Sequence, residues 1–236
     1  MSKVGKILVI IPAYNEEASI GGVIEKVGKH LPQADVLVVN DGSSDSTSTE
    51  ARGKGALVLD LPYNLGIGGA VQTGCLYALQ QGYEFVLRLD GDGQHHPQEG
   101  AKILTPLLEG EADIVIGSRF LSKEGYKSSF LRRMGIRFFS SVIRLITGGN
   151  IKDPTSGFNG LNRKGIELIS SKYSADYPEV EALIVARKKG LRVKEVPVIM
   201  QKRKKGKSSI DSLEAVYYVV KVSISTLMGH FRKVKH

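Results

Sequence analysis

The feature that most constrains this chain is a regular alternation of short, unbroken apolar runs with segments of helical spacing. Apolar runs rich in β-branched residues fall at Lys6–Ala13, Val36–Val39, Ala56–Leu61, Phe85–Leu89 and Asp113–Ile116. Helical patterns fall between them at Glu17–His30, Ser46–Arg52, Ile67–Gln81 and Pro97–Leu108. A strand that is apolar at successive positions is covered on both faces, and helical spacers supply the crossovers that parallel strands need. The pattern therefore predicts an α/β fold whose mostly parallel sheet is flanked by helices. At 236 residues the chain is long enough for one large domain or two small ones, and with 42% hydrophobic content it can bury a substantial core.

Sheets of this kind bind ligands beyond the carboxyl ends of their strands. Three polar groups lie at such ends: Tyr14-Asn15-Glu16-Glu17, Asn40-Asp41-Gly42-Ser43-Ser44-Asp45, and Asp90-Gly91-Asp92-Gly93-Gln94. In an extended segment Asp90 and Asp92 point the same way. Two carboxylates on one side suit Mg²⁺ or Mn²⁺, which take one or two carboxylates and fill their remaining positions with phosphate and water. Asp and Gly together also make ordinary turns, so this motif has a purely structural reading as well. Asp41 and Glu16 can accept hydrogen bonds from a nucleobase or ribose, or cap helices; for Asp45 capping is the better reading. The adjacent pair His95-His96 lacks the spacing of a zinc site.

Charge narrows the partners. Thirty-three lysines and arginines against 24 acidic residues give +9, which favours a polyanionic partner. Nucleic acid fits poorly, because the basic run Lys202-Arg203-Lys204-Lys205-Gly206-Lys207 carries no aromatic residue and the chain has no Trp. That run reads equally as a solvated loop, a membrane-surface patch or part of a site. Cys75, the single cysteine, lies in a helical pattern and reads as a buried thiol in a reducing context. The N-terminal apolar run is too short to span a membrane. The last segment carries an apolar stripe at Ile210, Leu213, Tyr217, Val220, Ile224, Leu227 and Phe231; Lys221 makes a core-facing or interface-lying helix the better reading than a span.

Pro12-Ala13-Tyr14-Asn15-Glu16-Glu17, Val39-Asn40-Asp41-Gly42-Ser43-Ser44-Asp45-Ser46-Thr47, Asn64-Leu65-Gly66 and Asp90-Gly91-Asp92-Gly93-Gln94-His95 resemble, in order and spacing, the signatures of glycosyltransferase family 2. Gly117-Ser118-Arg119-Phe120, Asp153-Pro154-Thr155-Ser156-Gly157-Phe158, Glu179-Val180-Glu181 and the stretch from Glu195-Val196-Pro197 through Arg203 to Gly206-Lys207-Ser208 are similar to polyprenyl-phosphate sugar transferases of the dolichol-phosphate mannose synthase type.

The resemblance implies a single GT-A, Rossmann-like domain over 1–209, with a nucleotide-sugar half of about 1–120 and an acceptor half of about 121–209, followed by the amphipathic helix and basic tail of 210–236. It implies transfer, with inversion, from a UDP- or GDP-sugar to a polyprenyl phosphate. The metal, Mg²⁺ or Mn²⁺, would be held by Asp90, Asp92 and Gln94. Substrate contacts would come from Pro12, Ala13, Tyr14, Glu16, Asp41, Asp90, Arg119, Arg132, Arg133, Ser156, Arg203 and Lys207. Asp92, Asp153, Arg119 and Arg203 would be the catalytic set. Many relatives continue into transmembrane helices, whereas this sequence stops at Lys233-Val234-Lys235-His236. The expectation is peripheral attachment to the cytoplasmic face of a membrane, directly or through a separate membrane protein.

The acceptor has its own chemical logic. An alcohol must lose a proton as it attacks, which calls for a general base. A phosphate monoester has its second pKa near 6, so it arrives anionic and needs cations that position it; guanidinium groups do this bidentately. Asp153 would then orient sugar or acceptor, or merely turn the chain before Pro154. A family member acting on a hydroxyl would need Asp153 as its base.

Overall fold

The computed structural model describes residues 5–121, 137, 140–141, 143–145, 149, 151–171 and 178–201. The expected contacts at Arg132, Arg133, Arg203 and Lys207, and the helix expected over 210–236, lie outside the described residues.

Among the described residues seven strands form one sheet: β1 (Ile7–Ala13), β2 (Ala34–Asn40), β3 (Leu57–Asp60), β4 (Phe85–Arg88), β5 (Ile114–Ser118), β6 (Asn159–Asn162) and β7 (Val193–Pro197). Their order is β3-β2-β1-β4-β6-β5-β7. β6 pairs antiparallel with both β4 and β5, and every other pairing is parallel. The helices given bounds among the described residues are α1 (Ile20–His30), α2 (Thr47–Gly53), α3 (Gly66–Gln80), α4 (Gly100–Leu108, after a 3₁₀ turn at Pro97–Glu99), α5 (Arg163–Ser171) and α6 (Pro178–Lys188).

The sheet is covered as the apolar runs require. All seven residues of β1 are buried, and successive side chains feed opposite layers. Leu8 and Ile10 pack with Ala70, Val71 and Cys75 of α3 and with Ile166 and Leu183 of α5 and α6. Ile7, Val9 and Ile11 pack with Val23 and Val27 of α1 and with Ile103 and Leu107 of α4. Gly74 lets α3 lie directly on β1, since a Cβ there would come 2.7 Å from Ile10. The Cys75 thiol is buried, and burial pushes its pKa up to about 12; it is packing material in a core helix.

α1 starts at Ile20, three residues later than its pattern suggests, because the Glu16 carbonyl accepts the N–H groups of Ser19 and Ile20 and closes a turn first. β6 and β7 draw the second half of the chain into the same sheet. β7 is tied to β5 by Asp113, whose carboxylate accepts from the Arg192 N–H at 2.8 Å, from its guanidinium at 3.1 and 3.2 Å, and from the Asn162 amide at 2.9 Å.

The Arg192 side chain leads the groups that hold the Asp113 carboxyl well below the ordinary carboxylate range. A depressed native pKa contributes stability that is present above the unfolded value, about 4, and is lost as pH falls toward the native one. Asp113→Asn should therefore cost about 1–3 kcal/mol at neutral pH, with the exposed guanidinium screened by solvent. In urea unfolding the gap to the wild type should narrow below about pH 4. A gap unchanged through acid would contradict this account.

Candidate functional site

The sheet brings three strand ends to one edge. The Asp41 N–H donates to the Ala13 carbonyl at 2.9 Å, and the Leu89 N–H to the Ile10 carbonyl at 3.1 Å. The loop after β1 is fastened to the loop after β2: the Asn15 N–H donates to Ser43 Oγ and the Asn15 side chain accepts from the Ser44 N–H, both at 2.9 Å. Asn15 has φ of 53°, a left-handed conformation uncommon outside glycine and met at functional loops. Pro12 and Ala13 abut the Asp90–Gln94 turn, where a Cβ on Gly91 would lie 3.4 Å from the Pro12 carbonyl and 3.6 Å from Glu16 Cγ. Tyr14 is exposed beside them.

Asp41 is buried, and its Oδ1 accepts the Leu65 N–H at 2.7 Å. That bond ties the end of β2 to the Asn64-Leu65-Gly66 loop. Gly42, at φ of 71°, makes the approach feasible, because a Cβ there would sit 2.8 Å from the backbone of Tyr63 and Asn64. Asp45 accepts the Thr47 N–H at 3.0 Å and the Glu17 N–H at 3.2 Å, an anchoring role at the start of α2. The Glu16 carboxylate accepts the Ser19 hydroxyl at 2.6 Å.

Asp90 and Asp92 stand at the end of β4. Asp92 Oδ1 accepts the Gln94 N–H at 2.9 Å. Asp90 lies 3.6 Å from the Arg88 guanidinium and 3.7 Å from His95 Nε2. His95 is buried and stacked on Phe158 with ring centroids 4.9 Å apart. Burial lowers its pKa to about 4 against the opposing pull of Asp90, so the ring is neutral near pH 7. Its Nδ1 accepts the Asp90 N–H at 3.0 Å, which puts the ring proton on Nε2. His95 is thereby a brace for the Asp90 backbone. Among the described residues no group of three or more His, Cys, Asp or Glu side chains is arranged to hold a metal by itself. The oxygen-only set of Asp90, Asp92 and Gln94 suits a hard cation that draws its other ligands from a diphosphate and water.

Asp153 is fully buried. It receives Arg119 Nε at 2.7 Å, Nη2 at 2.6 Å and the Arg119 N–H at 3.0 Å. Its own N–H and that of Lys152 both donate to Glu195 at 2.8 Å. Burial raises the Glu195 pKa although these bonds favour the anion. Ser156 is buried, its hydroxyl donating to the Gly117 carbonyl at 2.7 Å, so it holds the Asp153–Phe158 loop to β5. Gly157 closes that loop onto Asp90: a Cβ there would lie 3.0 Å from Asp90 Oδ2. Arg119, Asp153 and Ser156 are thus brought against the Asp90 site. The chain also returns to it after β7, where the Gln201 N–H donates to the Gln94 carbonyl at 3.0 Å.

Sequence reasoning gave no role to Arg88, which is 3% exposed and donates to Glu179 at 2.7 Å, nor to the clamp at Glu195. Arg88 carried a signal, being a cation inside an apolar run of a doubly covered sheet. Its partner stands in the Glu179-Val180-Glu181 motif, but no local pattern joins the two across 91 residues.

Removing one member of a buried ion pair leaves an uncompensated charge. Arg119→Met should destabilise the protein by about 3–5 kcal/mol, and Arg119→Met/Asp153→Asn should recover more than half of that loss in urea unfolding. A double variant no more stable than the single one would contradict the pairing.

The Glycosyl transferase family 2 model matches residues 8–169. The chain is 30% identical over 240 residues to polyprenol monophosphomannose synthase of Mycolicibacterium smegmatis, covering 96% of this chain and 90% of that protein. It is 29% identical over 212 residues to UDP-N-acetylglucosamine--dolichyl-phosphate N-acetylglucosaminyltransferase of Methanococcus voltae, covering 81% and 84%. Among solved structures, glucosyl-3-phosphoglycerate synthase from Mycobacterium tuberculosis in complex with Mn²⁺ and UDP-glucose superposes with a TM-score of 0.72 at 24% identity, covering 95% of this chain and 78% of that one. These relatives transfer sugars to polyprenyl phosphates, the solved neighbour shares the sheet architecture, and the chain belongs to glycosyl transferase family 2.

Proposed function

We propose that this protein moves a sugar from a UDP- or GDP-linked donor to a polyprenyl phosphate, inverting the anomeric centre. The observation that carries the choice of acceptor is the Arg119–Asp153 pair. Both carboxylate oxygens of Asp153 are engaged by one guanidinium, so this loop presents a positioned cation where a hydroxyl acceptor would need a base. A phosphate monoester wants that arrangement, and the named relatives act on such acceptors.

Tyr14, Glu16 and Asp41 hold the nucleoside, with Pro12 and Ala13 forming the floor beneath it. Asp90, Asp92 and the Gln94 carbonyl would hold Mg²⁺ or Mn²⁺. The chemistry such a cation would supply is neutralisation of charge on the diphosphate. Arg119 orients the acceptor phosphate, with Asp153 fixing its guanidinium and Ser156 fixing the loop. Arg132, Arg133, Arg203 and Lys207 complete the phosphate site in this reading. Gln201, the residue before the basic run in sequence, donates its N–H to the Gln94 carbonyl. A phosphate oxygen attacks the anomeric carbon from the face opposite the leaving group. The new C–O bond forms as the bond to the nucleoside diphosphate breaks, and the electron pair leaves on the diphosphate. No proton has to move, because the acceptor is already ionised. A polyprenyl chain is a membrane lipid, so the enzyme works at a bilayer surface, reached by its basic run and its C-terminal apolar stripe or through a membrane partner.

Incubation with labelled UDP- and GDP-sugars, polyprenyl phosphate and Mg²⁺ or Mn²⁺, followed by organic extraction, tests the reading. Label should enter the organic phase as a β-linked product from an α-linked donor, read from proton couplings. EDTA should abolish transfer, and Asp92→Asn should lower it at least about 100-fold. Undiminished turnover in excess EDTA, retained configuration, or transfer only to water-soluble hydroxyl acceptors would overturn it.

A further inference from the structure

We infer that Glu195 is a positioning residue for the acceptor phosphate: its carboxylate fastens the backbone of Asp153, and through Asp153 the guanidinium of Arg119, to strand β7. The inference rests on the proposed role of Arg119 in orienting a polyprenyl phosphate. Glu195 lies within β7 opposite Ile116 of β5, and Arg119 follows the last residue of β5. Two paired strands therefore carry the two charged groups. Asp153 joins them. Its buried carboxylate accepts Arg119 Nε at 2.7 Å, Nη2 at 2.6 Å and the Arg119 N–H at 3.0 Å. On its other side the Asp153 N–H donates to Glu195 Oε1 and the Lys152 N–H to Glu195 Oε2, both at 2.8 Å.

One carboxylate thus takes two successive backbone N–H groups, one on each oxygen. A single bond would let the loop pivot about it, whereas two fix the orientation of two consecutive peptide planes. Pro154 adds to this by biasing Asp153 toward an extended backbone. The far end of the loop is pinned separately, by the Ser156 hydroxyl on the Gly117 carbonyl at 2.7 Å. The strand itself does not need the Glu195 carboxylate. β7 pairs with β5 along all five of its residues, and Arg192 anchors its start to Asp113 at 3.1 and 3.2 Å. What the Glu195 side chain adds is the placement of Asp153. A displacement of about 1 Å in a group that positions a reactant can cost about 100-fold in rate, so the effect of the clamp should be felt at the acceptor and not at the donor.

The test compares two readouts in the full chain: the KM for polyprenyl phosphate in detergent at saturating donor, and the Kd for UDP, and in parallel GDP, in the presence of Mn²⁺. Glu195→Gln keeps the shape of the side chain but turns an NH₂ group toward one of the two N–H donors, so one bond of the clamp is lost. It should raise the acceptor KM about 10-fold and leave the nucleotide Kd within about twofold of the wild type, because only the binding of the acceptor has been loosened. A merely structural role predicts no such split, since a loosened fold weakens both. If Glu195→Gln does not fold, Glu195→Asp, which keeps the charge and shortens the reach, must show the same split. An unchanged acceptor KM, equal losses in acceptor and nucleotide binding, or a chain that folds with neither variant overturns the inference. Arg119→Lys, which keeps the charge and loses the planar fork, is the control for the reading beneath it. If Arg119→Lys leaves the acceptor KM unchanged, or the wild type transfers nothing to polyprenyl phosphate, that reading fails and the inference falls with it. If Arg119→Lys raises the acceptor KM while Glu195→Gln does not, only the positioning role of Glu195 fails.

Discussion

The structure depends on β1 being buried on both faces and paired in parallel on both edges. Seven consecutive buried residues leave no solvent-facing side, so α1 and α4 must cover one layer and α3, α5 and α6 the other. The register Ala13 with Asn40 and Ile10 with Arg88 then sets the ends of β2 and β4 beside the end of β1. Every polar group of the proposed donor site is a consequence of that register. A one-residue slip would turn these apolar strands over and scatter the carboxylates that follow them.

Such convergence concentrates negative charge, and the chain answers it with guanidinium groups anchored from behind. Asp153 is held by Arg119, and Asp90 and Glu179 share the neighbourhood of Arg88. The backbone makes a second contribution: Asp41, Asp92 and Glu195 all accept main-chain N–H groups. These bonds stiffen the loops before any ligand arrives, which is what a site that works by positioning and electrostatics requires.

Much of this was legible in the sequence because local pattern and global fold agree. The five apolar runs became β1 to β5 and the helical spacers became α1 to α4. β6 was hidden. Its residues Asn159-Gly160-Leu161-Asn162 show no apolar run, and the strand is seated because Gly160 leaves room for Ile103 and Leu107, a Cβ there falling within 2.7 Å of Ile103. No local signal announces an antiparallel strand set between two parallel neighbours. The candidate site residues were legible one at a time, through strand ends and family resemblance, while their pairings were not. Arg119 and Asp153 were each singled out, but their mutual grip spans 34 residues, and Arg88 finds Glu179 across 91. Such contacts are products of the sheet order and carry no local trace.

The proposed chemistry requires a divalent cation and a nucleoside diphosphate to sit together at the carboxyl end of β4. A crystal grown with Mn²⁺ and UDP, with diffraction recorded at the manganese edge, addresses this directly. The anomalous peak should lie at the carboxyl end of β4, within coordination distance of Asp92 and the diphosphate, with the nucleoside running toward Asp41 and Tyr14. A peak away from Asp90 and Asp92, or a nucleotide bound at another edge of the sheet, would contradict it.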